Sequence, residues 1–126
     1  MKTNTLRSRG FTLVEIMIVV AIIGLLASIA VPNFVKARTT AQQKACISNL
    51  HQIDGAIQQW ATDLNKAAGQ TVAYSDISSY LKNSVACPSG GTTFEDSYSI
   101  TTVDATPTCQ RMPSGPNAHA LPQTTQ

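Results

Sequence analysis

From Phe11 to Val35 the chain is apolar at nearly every position, and Glu15 is the only ionisable residue among them. A helix rising about 1.5 Å per residue over that stretch reaches across a hydrocarbon core of roughly 30 Å. Beyond Pro32 the pattern becomes one-sided. Cys46, Leu50, Ile53, Ile57, Trp60 and Leu64 recur at steps of four, three, four, three and four. That spacing draws an apolar stripe down one face of a helix continuing to about Asn65, with Leu50, Ile53, Ile57, Trp60 and Leu64 expected to pack against a sheet. Gly24 weakens the apolar stretch. Pro32 removes a backbone donor and crowds the Ser28 carbonyl, so a kink is expected there.

From Ala67 onward the chain is loop-rich and β-prone. Residues 74–81 hold a short helix, with Ser75 or Asp76 as its cap. Pro88-Ser89-Gly90-Gly91 marks a turn. Thr92 to Phe94 and Tyr98 to Val103 alternate as strands joined through Glu95 and Asp96, and Thr106-Pro107-Thr108-Cys109 reads as an edge strand. A tail from Met112, rich in Pro, Ser and Gln, is expected to be mobile. The expected fold class is α+β: a long, bent N-terminal helix, membrane-spanning in its first half, packed against a small antiparallel β-sheet. Four segments follow: 1–10, a polar head; 11–35, the apolar helix; 36–65, its amphipathic continuation; and 66–126, a small globular part with the tail.

Charge changes this picture at one place. The net charge is +2 over 126 residues, and only 13% of residues are charged. Three of the nine basic residues (Lys2, Arg7 and Arg9) stand in the first ten, so without that head six face seven acidic ones. This excludes the basic stripe of a nucleic-acid groove, and no nucleic acid is expected as a partner. Basic residues before the apolar run place the N-terminus in the cytoplasm and the remainder outside.

Three histories fit a basic head followed by an apolar run. The run could stay as a plain membrane helix, or it could be a secretory signal cut after Ser28-Ile29-Ala30. Neither gives Glu15 a purpose. A cut between Gly10 and Phe11 does: it removes the head, keeps the helix, and exposes a charged α-amine at Phe11, four residues before Glu15. A carboxylate in a bilayer is costly unless paired, and that amine, or a neighbour's, is a partner.

The stretch RGFTLVEIMIVVAIIGLLASIAVPNF resembles the prepilin signal of type IV pilins and type II secretion pseudopilins, with Gly10, Phe11, Glu15 and Pro32 at the matching positions. The resemblance implies cleavage after Gly10 by a membrane-embedded prepilin peptidase and N-methylation of Phe11. It implies that Glu15 pairs with the N-terminal amine of an adjacent subunit in a helical filament. It also implies that Gly24 through Pro32 can lose helicity on assembly. The partners to expect are copies of the chain or similar subunits, the peptidase, an inner-membrane assembly platform and the lipid bilayer. The implied function is structural, as a type II secretion pseudopilin in the bacterial inner membrane with its C-terminal part outside; a surface or DNA-uptake pilus is the alternative. ACISNLHQIDGAIQQWA, CPSGG and Pro107-Thr108-Cys109, with His119 and Leu121-Pro122 after them, resemble a group of short pilin-like proteins and add no functional precision. A singly anchored binding domain with no filament role is the competing class.

Other chemistry is sparse. Cys87 with Cys109 would close a loop of about twenty residues, worth roughly 3 kcal/mol, and pilins similarly close a C-terminal loop with a disulfide. Pairing of Cys46 with either remains open. There is no Cys-x-x-Cys, and His51 and His119 stand far apart, so no metal site and no cofactor are expected. Major pseudopilins bind calcium through an acidic C-terminal loop; Glu95, Asp96 and Asp104 form no clear equivalent. No catalytic motif surrounds the serines, histidines or acids, and enzyme activity is not expected.

Overall fold

The structure is a computed structural model in which residues 10–122 are described. The head up to Arg9 and the last four residues lie outside that range. Helix α1 runs Leu13–Asp63, with Pro32 inside it. It is followed by one-turn helices α2 (Tyr74–Ile77) and α3 (Phe94–Ser97), then strands β1 (Tyr98–Ser99) and β2 (Thr108–Cys109). The chain divides into two units, Met1–Lys36 and Ala37–Gln126.

In the first unit, the helical residues are exposed on every side. Phe11 is 80% exposed, and Ile16, Ile22, Leu26 and Ile29 are all exposed. A helix apolar all round is stable only when lipid or other helices cover it. It is also the one helix long and apolar enough to cross a membrane among the described residues.

The second unit has its own core. Cys46, Leu50, Ile53, Ile57 and Trp60 line the buried face of α1, joined by Ala56 and Ala61. They pack against Val72, Ile77, Val85, Phe94, Tyr98, Val103 and Cys109. Leu64, expected on this face, is 54% exposed. The helix has already ended there. Asn65 takes a left-handed conformation (φ 50°), and the Lys66 and Asn65 amides return to the Ala61 and Thr62 carbonyls at 2.8 and 3.4 Å. That is a Schellman ending, with asparagine in the position usually held by glycine.

The sheet is smaller than the sequence pattern suggests. β1 and β2 pair antiparallel, Tyr98 opposite Cys109 and Ser99 opposite Thr108, and a lone bridge joins Thr71 to Thr102. The strand expected over 92–94 is absent because Phe94–Ser97 is helical. Thr93 caps that turn by accepting the Asp96 amide at 3.3 Å, and Asp96 accepts the Thr93 amide at 3.2 Å. Thr-x-x-Asp made this reciprocal cap and overrode a weak alternation. In α2 the N-cap is Ala73 rather than Ser75 or Asp76. Asp76 stands instead at the third helical position, where its carboxylate accepts the Ala73 amide at 3.0 Å.

With so little sheet, side-chain amides of α1 hold the loops. Gln42, Gln43, Asn49 and Gln58 donate to the carbonyls of Pro88, Ala118, Ala86 and Val103 at 2.9–3.1 Å. The tail expected to be mobile from Met112 instead turns back: the His119 amide reaches the Met112 carbonyl at 2.9 Å, and His119 is 2% exposed.

Candidate functional site

Two places carry chemistry, one in each unit. At the start of α1, Gly10 and Phe11 precede the helix and are exposed. Thr12 caps it, its hydroxyl accepting the Glu15 amide at 3.3 Å. Thr12-x-x-Glu15 has the sequence pattern of a capping box, of which the structure shows the Thr12 half. An acid in the first turn is also favoured by the helix dipole. Further along, the helix continues through Gly24 and Pro32, and the Ser28 hydroxyl donates to the Leu25 carbonyl at 2.7 Å. A Cβ on Gly10 or Gly24 would meet nothing within 4 Å.

The second place is buried. Cys46 on α1, Cys87 in the CPSGG turn, Cys109 on β2 and His119 near the end of the chain bring three sulfurs and an imidazole nitrogen within 4.8 Å of one another. Cys87 Sγ lies 3.6 Å from Cys109 Sγ and 3.6 Å from His119 Nδ1. Cys109 Sγ lies 3.9 Å from the same nitrogen. The pair expected to form a disulfide is thus adjacent, and all three cysteines are free thiols.

Hydrogen-bond donors surround the cluster. The Tyr98 hydroxyl is 3.5 Å from Cys46 Sγ and accepts from Asn49 Nδ2 at 3.0 Å, which leaves its proton for the sulfur. Gly91 closes the turn with its amide on the Cys87 carbonyl at 2.8 Å. A Cβ on Gly91 would meet Ser97 Oγ and lie 2.8 Å from the Cys87 nitrogen, so only glycine fits. Burial pushes the Cys46 and Cys87 thiols up and the His119 imidazole down, which favours neutral forms of all three.

Sequence reasoning missed this cluster because metal-ligand patterns are sought at short linear spacing. Here the four residues come from four separate segments, at steps of 41, 22 and 10 as the numbering runs from 46 to 119. Each nevertheless sits in a stretch that stands out for other reasons: the helical stripe, the CPSGG turn, the edge strand and the C-terminal histidine. His51, by contrast, is exposed on α1, as a solvated histidine would be.

An apolar, exposed helix with a lone acid in its first turn, joined to a small α+β unit, defines a pilin-like class of membrane-anchored subunit. The family described as "Prokaryotic N-terminal methylation motif" matches residues 5–31. The chain is similar to the competence protein ComGC of Bacillus subtilis, 34% identical over 87 residues that cover 68% of this chain and 86% of that one. It is 59% identical over 44 residues to the type IV major pilin protein PilA of Myxococcus xanthus, covering 35% of this chain and 20% of the pilin. It is 42% identical over 57 residues to the type II secretion system core protein G of Klebsiella pneumoniae, covering 45% and 41%. The chain thus spans less than half the length of the last two relatives. No solved structure shows a significant match. The chain belongs to the type IV pilin and type II secretion pseudopilin family.

Proposed function

We propose that this chain is a structural subunit of a pilus-like filament machine in a bacterial inner membrane, and that the machine serves type II protein secretion. The observation that carries the reading is the first unit of α1: apolar and exposed on every side, with Glu15 its only acid. Such a surface is complete only in lipid before assembly and among neighbouring helices after it. A prepilin peptidase cuts between Gly10 and Phe11 and methylates the new Phe11 amine. Glu15 then draws that amine on an adjacent subunit into register while the apolar faces supply the cohesion. Gly24 to Pro32 is the stretch whose helicity yields on assembly. The C-terminal part stands outside the inner membrane, and an assembly platform in that membrane moves the subunits.

The mature N-terminus tests processing. Intact mass and N-terminal sequencing are expected to show a methylated Phe11; a chain starting at Met1 or Val31 would overturn the reading. The substitution Glu15→Gln tests pairing without disturbing the start of the helix, since glutamine serves a capping box as well as glutamate. Membrane insertion and processing are expected to persist while subunit cross-linking into filaments is lost. Normal filaments from this variant would sink the pairing role.

A second reading, a DNA-uptake filament, is favoured by one observation: a relative covered over 86% of its length is named a competence protein. Deleting the gene separates the two. Loss of exported proteins with transformation intact supports secretion, and the reverse result supports uptake.

A further inference from the structure

We propose that Cys46, Cys87, Cys109 and His119 form a structural zinc site that clips the loops of the second unit onto α1. The inference stands on geometry and is independent of the filament reading. With Zn–S bonds of about 2.3 Å and Zn–N bonds of about 2.0–2.1 Å, tetrahedral angles put sulfurs about 3.8 Å apart and sulfur about 3.6 Å from nitrogen. The cluster shows 3.6 Å between Cys87 and Cys109 sulfurs, and 3.6 and 3.9 Å from these to His119 Nδ1. Cys46 Sγ closes the group within 4.8 Å. Three cysteines and one histidine, all supplied by the protein, make a closed four-coordinate set; a catalytic zinc would keep one position open. Soft thiolates with an imidazole in tetrahedral array select zinc over calcium or magnesium.

The bland account is that buried cysteines act here as small apolar side chains. Two observations go beyond it. His119 is 2% exposed, yet among the described residues the hydrogen-bond partners of its Nδ1 are the Cys87 and Cys109 sulfurs. A buried imidazole aimed at thiols gains little from apolar packing but is well placed as a ligand. A donor is also in place for the Cys46 thiolate: the Tyr98 hydroxyl, itself held by Asn49, lies 3.5 Å from that sulfur. Donors of this kind stabilise thiolates around a metal. The buried thiols are protonated without a metal, so zinc binding releases their protons and its free energy becomes folding free energy.

The four ligands arrive from α1, the loop after Tyr80, β2 and the returning tail. A single ion would fasten all of them. A Cys87–Cys109 disulfide would instead consume two ligands and leave Cys46 and His119 without a shared partner.

The test uses the full-length chain in detergent, isolated without chelator, with one portion alkylated at once to read disulfides and the rest left unalkylated for metal analysis. The expected result is a single zinc ion per chain and no disulfide. Replacing zinc with Co2+ alone is expected to give the intense ligand-field and thiolate charge-transfer absorption of a tetrahedral sulfur site. Cys46→Ser is expected to weaken Co2+ binding by at least about tenfold, and Tyr98→Phe, which keeps the ring in the core, by about 10–100-fold at unchanged stoichiometry. Failure of the unsubstituted chain to bind Zn2+ or Co2+ under reducing conditions would overturn the site. So would a Cys87–Cys109 bond in the freshly isolated protein. Because both outcomes are read on the unsubstituted chain, a variant that fails to fold does not shield the proposal.

Discussion

Asp96 shows how much one residue can organise in a chain with few charges. Its carboxylate is held well below the ordinary carboxylate range, first by the Ser97 hydroxyl at 2.8 Å, then by Thr92 and by Arg111 at 2.7 Å. The Ser97 hydroxyl is also 2.6 Å from the Thr93 carbonyl, so it shares its one proton between two acceptors. A depressed carboxylate stabilises the fold above its unfolded pKa of about 3.8 and loses that contribution as pH falls through the lower folded value. The denaturation midpoint of the protein is therefore expected to drop as pH is lowered below about 4, and Asp96→Asn to flatten that dependence; an unchanged slope in chemical denaturation would show that Asp96 is not responsible. None of this was legible in the sequence, where Glu95 and Asp96 looked like a hairpin turn. Glu15 is the opposite case. Its isolation in an apolar run is visible in the sequence alone, and the structure adds the Thr12 cap on its backbone amide.

At the scale of elements, α1 dominates. Its stripe was readable because 3.6-residue periodicity depends only on local geometry, and five of the six stripe residues are buried as spaced. The sixth, Leu64, depended on where the helix stops, which Asn65 decides through a single left-handed residue. Gly55 lies on the exposed side of α1, where a methyl group would stand in open space, so glycine there costs backbone entropy and gains no packing. Gly55→Ala is expected to raise stability by about 0.5–1 kcal/mol, read as an upward shift of the thermal midpoint in detergent. A lowered midpoint would mean that another molecule packs closely against this position. The strands were less legible than the helix. Two-residue pairings carry too little pattern to be distinguished from capped turns, and α3 formed where alternation had pointed to a strand.

Across the whole molecule, the two units have opposite surfaces. Residues 13–36 bury nothing, whereas residues 37–122 enclose a core from Cys46 to Cys109 and hold their loops by side-chain amides. A chain beginning at Ala37 is therefore expected to remain soluble and monomeric without detergent, while the full chain requires it. Sedimentation of both forms in detergent-free buffer checks this. Aggregation of the shortened chain would show that its core depends on the apolar segment.

The amino-acid order alone determined the apolar helix, its lone acid, the match to the N-terminal methylation motif and the stripe that follows. Each is a statement about neighbours along the chain or about one helical face, and local geometry suffices to read it. The meeting of Cys46, Cys87, Cys109 and His119 was decided only by the tertiary structure. Their approach depends on where α1 ends, how the Cys87 turn closes around Gly91 and how the tail returns to Met112. Those are long-range events, and no spacing in the sequence encodes them.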